Sequence, residues 1–104
     1  MQQPAETSQG EVNIVVTQRV LPGKEGEYEG LLREMQAATV ANDEGCLRYE
    51  WYRSETPHTY ILLERWTSRA AVQAHLAAPH MVAIREKVQH LVPEKFTFVR
   101  LTKL

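Results

Sequence analysis

The chain is 104 residues long, 43% hydrophobic and 24% charged, with twelve basic against thirteen acidic side chains and a formal net charge of −1. A chain of that size hides roughly 60–70% of its unfolded surface, which supports one modest core and leaves no room for a separate cofactor domain. Its composition excludes disorder over most of the length, and its balanced charge carries no footprint for nucleic acid or an anionic membrane. No apolar run approaches the ~18 residues of a membrane span. The single cysteine, Cys46, has no internal partner, which suits a reducing cytoplasm. Residues 1–10 lack the basic start and apolar stretch of a secretion signal and read as a disordered polar tail; residues 11–104 read as one domain.

Val12 to Val20 is rich in β-branched residues and predicts a strand. Its apolar residues occupy both parities, which asks for cover on both faces. Leu21-Pro22-Gly23 breaks it. From Lys24 to about Asn42, Tyr28, Leu31, Leu32, Met35, Ala38 and Thr39 recur at helical spacing. Glu25, Glu27 and Glu29 crowd the first turns, where the helix dipole favours negative charge. Gly45 suits the left-handed turn that ends such a helix.

Cys46 to Arg53 returns to a period of two, with Leu47, Tyr49 and Trp51 on one expected face. The turn Ser54–His58 links it to a second strand, Thr59–Trp66, as an antiparallel hairpin. Thr67-Ser68 resembles a helix cap. Ala71, Val72, His75 and Leu76 form the apolar stripe that follows, and Pro79 kinks or restarts the helix. Met81, Ile84, Val88, Leu91 and Val92 extend the stripe until Pro93. Phe96 to Leu101 alternates as a last strand. The order is β-α-β-β-α-β, an α+β ferredoxin-like plan with an antiparallel sheet. Val15, Leu63, Val99 and Leu101 are left for a second copy to cover, sheet against sheet.

Motifs for metal, phosphate or nucleophile chemistry do not occur along the chain. His75 and His80 stand five apart with no cysteine or carboxylate at metal-site spacing, and no Gly-rich phosphate loop follows a strand. Nothing near Cys46 lowers its thiol pKa. Three features carry chemistry instead. His75 interrupts an apolar stripe; it is either a core histidine bonded to backbone or a group that moves a proton near neutrality. Glu64 shares a strand face with Tyr60, Leu62 and Trp66, so its carboxylate either pairs with an arginine such as Arg53 or Arg100 or orients a neighbouring base. Tyr49, Trp51 and Trp66 form either core or the flat wall of a pocket. Asn13 is the odd polar residue of the first strand and bonds within the sheet or donates into a pocket.

Asp43-Glu44-Gly45-Cys46-Leu47-Arg48-Tyr49, Glu64-Arg65-Trp66-Thr67-Ser68, Ala74-His75-Leu76 with Pro79-His80, and Leu21-Pro22-Gly23-Lys24 follow one another at continuous spacing. Together they resemble the antibiotic biosynthesis monooxygenase domain family, most closely its quinol monooxygenase branch. The resemblance implies a ferredoxin-like monomer whose sheet joins a second one in a dimeric α+β barrel. It implies oxygenation of a small aromatic quinol or phenol by dioxygen without metal, flavin or other cofactor. It assigns His75 as base or proton shuttle, Glu64 as orienting carboxylate, Tyr49 and Trp66 as pocket wall, and Asn13 as a further substrate contact; His80, at the family's Pro-His position, is either a substrate contact or, the preferred reading, a helix-start residue bonding backbone. A haem-degrading branch resembles the family in fold but carries a tryptophan and a histidine where this chain has His75 and Arg85. Two other readings compete: an isomerase of a small phosphorylated hydroxyketone, which wants a basic cluster drawn from Arg33, Arg48, Arg65 and Arg85, and a non-catalytic dimeric ligand-binding domain.

Overall fold

The structure, a computed structural model, describes residues 10–104. Of the expected N-terminal tail, residues 1–10, all but Gly10 lie outside the described residues. The elements are β1 (Val12–Arg19), α1 (Glu25–Asn42), β2 (Cys46–Arg53), β3 (Thr59–Trp66), α2 (Arg69–Ala77), α3 (Pro79–Val88) and β4 (Thr97–Leu101). They form one four-stranded antiparallel sheet in the order β2-β3-β1-β4. This is the expected ferredoxin-like plan. Pro79 restarts rather than kinks the second helix: Ala78 is extended, and Pro79 takes the first helical position, where its missing N–H costs nothing.

Strand alternation decides what lies under the helices. Val12, Ile14, Val16 and Gln18 of β1 are buried, and Tyr60, Leu62 and Trp66 of β3 join them with Tyr28, Leu32 and Met35 of α1. The opposite parity, with Asn13, Val15, Leu63, Val99 and Leu101, forms the other sheet face, and Val15 pairs with both Leu63 and Val99. Val99 and Leu101 are 56% and 53% exposed, so that face has no cover from the described residues.

Two local devices set the turn from α1 into β2. Gly45 has a φ of 85°, which an L side chain rarely adopts. A β-carbon there would stand 2.6 Å from Thr67 Oγ1 and 2.7 Å from Ala71 Cβ. The Thr67 N–H donates to the Gly45 carbonyl at 2.9 Å, and Ser68 caps α2 by accepting from the Ala71 N–H at 3.1 Å. The α1–β2 turn is thereby clamped to the start of α2. The pairing also shifts between Cys46 and Arg48, so Leu47 is an extra bulge residue and is exposed. This corrects the expectation that Leu47 shares a face with Tyr49 and Trp51.

Candidate active site

His75 lies on the buried side of α2 and is 2% exposed. Its Nδ1 is 2.5 Å from Asp43 Oδ2, in the turn that Gly45 holds against α2. His80, at the start of α3, brings Nε2 to 3.1 Å from the same carboxylate oxygen. The His75 ring rests against the Trp66 indole, with centroids 4.7 Å apart, and edge-on to Tyr49 at 5.2 Å. Burial pushes the imidazole pKa below its ordinary value, and Asp43 opposes that shift only in part. With Asp43 on Nδ1, Nε2 is the ring nitrogen left to serve the cavity that His75 also lines.

That cavity, of about 220 Å³, lies between helices and sheet. Its walls are mainly apolar: Ile14, Val16 and Leu62 from the sheet, Val72, Leu76 and Met81 from the helices, with Tyr28, Tyr49 and Trp51. Exposed Phe96, just before β4, and Phe98 and Arg100 of β4 also line it, with the Arg100 guanidinium over the Phe98 ring. Arg85 reaches it from α3 and donates to the Leu76 carbonyl at 2.7 Å. Glu64 lies on the wall; it accepts from the Trp66 indole N–H at 2.8 Å, and burial raises its pKa. The Tyr49 hydroxyl donates to Met35 Sδ at 3.0 Å, and burial drives its pKa far up, so it stays a neutral wall residue.

The expected site residues therefore divide. His75, Glu64 and Tyr49 meet at the cavity. Trp66 is fully buried behind His75 and belongs to the core rather than the pocket wall. Asn13 points to the opposite sheet face because its register partners are Arg65 and Leu101, so it does not reach the cavity. His80 faces the cleft outside the cavity together with Asp43. The carboxylate that holds His75 is Asp43, not Glu64, and neither anticipated arginine pairs with Glu64: Arg53 bonds Glu29 and Arg100 lies on Phe98. Cys46 matches its bland expectation, its thiol pKa raised by burial.

Sequence reasoning missed Asp43 as a site residue, named Arg100 only as an ion-pair partner for Glu64, and named Arg85 only for the competing phosphate reading. Asp43 looked only like part of the turn that ends α1. The one available signal was topological: in a β-α-β-β-α plan that turn and the start of the second helix share an end of the sheet. Of the four arginines considered for a phosphate, Arg33, Arg48 and Arg65 are engaged by Glu29, Glu50 and Glu11 at the surface, and only Arg85 reaches the cavity.

Comparison with known proteins agrees with this architecture. Rv0793 of Mycobacterium tuberculosis, whose name carries a provisional monooxygenase assignment, is 32% identical over 81 residues, spanning 76% of this chain and 79% of that protein. YgiN of Escherichia coli, provisionally named a quinol monooxygenase, is 35% identical over 60 residues; the match spans 49% of this chain and 58% of YgiN. The Rv0793 structure superposes with a TM-score of 0.83 at 27% identity, covering 91% of this chain and 96% of its own. A Caulobacter crescentus structure, titled as a provisional antibiotic biosynthesis monooxygenase, reaches 0.88 at 27% identity over 98% of this chain and 99% of its own. Residues 12–87 match the family model described as antibiotic biosynthesis monooxygenase, and the chain belongs to that family.

Proposed function

We propose that the chain is a monooxygenase that inserts oxygen from dioxygen into a small aromatic phenol or quinol, with no cofactor. The observation that carries this reading is a buried, carboxylate-held imidazole on the wall of an apolar cavity, its pKa lowered by burial. Family membership and the names of the relatives support it. A cavity of about 150 Å³ accepts benzene, so about 220 Å³ suits one or two fused rings. His75 Nε2 takes the hydroxyl proton. The phenolate that results is itself the electron donor to dioxygen. One oxygen atom becomes bonded to a ring carbon in place of hydrogen and the other leaves in water, so a phenol and dioxygen yield a quinone and water. Arg85 and Arg100 favour the anion, and Glu64, whose pKa burial raises, is a second titratable group on the wall.

The hydroxyketone phosphate reading lacks its basic cluster, since three of its four candidate arginines are held in surface ion pairs. The uncovered sheet face supports a homodimer packed sheet to sheet, and the lone thiol of Cys46 suits a reducing cytoplasm. The test is oxygen uptake by metal-stripped protein against quinols, naphthols and anthrones, with the spontaneous rate subtracted. Protein-dependent uptake is expected. No uptake, with ring compounds still raising the melting temperature, would replace this reading with that of a binding module.

A further inference from the structure

Asp43, His75 and His80 come from one turn and two helices, and the fold sets one donor atom of each within 4.8 Å of the others. Oδ2 of Asp43 lies 2.5 Å from His75 Nδ1 and 3.1 Å from His80 Nε2. Ligands at ~2.0–2.1 Å around a tetrahedral zinc ion stand roughly 3.3 Å apart, so the carboxylate would withdraw slightly and the two imidazole nitrogens, no more than 4.8 Å apart, would adjust toward that spacing. Two imidazoles and one carboxylate are the donor set that borderline divalent cations prefer over calcium or magnesium. The Asp43 and His75 side chains are 8% and 2% exposed and His80 18%, so the ligands are preorganised, while the cleft beside them leaves water a fourth position.

We propose that Asp43, His75 and His80 form a binding site for one zinc-class divalent cation per chain. The site opens away from the apolar cavity, because Asp43 and His80 line only the outer cleft and His75 alone borders both spaces. The cation is therefore not positioned to touch a substrate in the cavity. It acts through the ring: a metal on Nδ1 leaves the proton on Nε2, which turns His75 from an acceptor into a donor. That inhibitory consequence rests on the oxygenase reading; the binding itself does not.

The test titrates Zn²⁺ into the full-length metal-stripped chain by calorimetry, with Co²⁺ absorption reporting coordination geometry. About one Zn²⁺ per chain is expected, with a tetrahedral Co²⁺ spectrum and no competition from Mg²⁺. His80→Ala, checked for folding by circular dichroism, is expected to weaken binding more than tenfold; His58→Ala and His90→Ala are expected to leave it unchanged. Undiminished affinity in folded His80→Ala, or no saturable binding to the wild type, would overturn the site. If the chain turns over a phenol, one equivalent of Zn²⁺ is expected to suppress the rate in the wild type but not in His80→Ala. Zinc bound at the site with an undiminished rate would overturn the inhibition alone, and absence of any turnover would count against the oxygenase reading while calorimetry still decides the site.

Discussion

His75 stands out in the sequence because a polar side chain on an apolar helical stripe needs a partner. The partner could not be read there, since Asp43 lies 32 residues earlier in a turn whose local role already explains it. Its carboxylate holds Nδ1–H, and an asparagine could instead donate to Nδ1 and leave the proton on Nε2. Asp43→Asn is therefore expected to cost oxygenation as much as ~10⁴-fold, and His75→Ala about 10²–10⁴-fold, both measured as kcat/KM with unchanged circular dichroism. Glu64→Gln should cost less, because Glu64 touches His75 only through the Trp66 indole. The pH profile carries a sign of its own. Burial holds the His75 pKa below 6.5, so the acidic limb of kcat/KM should fall below that pH. Removing the Asp43 charge, which favours the imidazolium, should move what remains of that limb lower still.

At the scale of elements, the turn after α1 does the positioning. Gly45→Ala forces a β-carbon into Thr67 and Ala71 at a positive φ, so a loss of more than about 1 kcal/mol is expected in urea unfolding, together with a loss of oxygenation. Ser68→Ala removes the cap of α2 and should cost about 1 kcal/mol. Near the opposite end of α1, Glu29 accepts from Arg53 and from the Tyr60 hydroxyl, and these bonds pull its pKa down to about 2. A depressed carboxylate stabilises the fold above its unfolded pKa and loses that contribution as pH falls. Glu29→Gln should thus lower the urea midpoint at pH 7, and the gap from wild type should close between about pH 4.5 and 2. The periodic parts of these elements were legible from sequence. The Leu47 bulge was not, because one inserted residue leaves the composition of a strand unchanged while reversing its parity.

For the whole molecule, the apolar pattern on both faces of the sheet was the most informative reading of the sequence. One face meets the helices; the other carries Val15, Leu63, Val99 and Leu101 with nothing described above it. Sedimentation at micromolar concentration should give a dimer, and Leu63→Asp should give a monomer or an aggregate. A wild-type monomer would remove the sheet-to-sheet assembly.

The element order, the ferredoxin-like plan, the two-faced sheet and the place of His75 on the buried stripe of a helix followed from the sequence alone, because 2.0- and 3.6-residue periods are local properties of backbone geometry. The tertiary structure alone decided that Asp43 joins His75 and His80, that Trp66 sinks into the core, that Asn13 turns to the far face, and that Arg85 and Arg100 reach one cavity. Those outcomes depend on strand register and on how one turn packs against a helix start, and both are set by contacts between residues far apart in the chain.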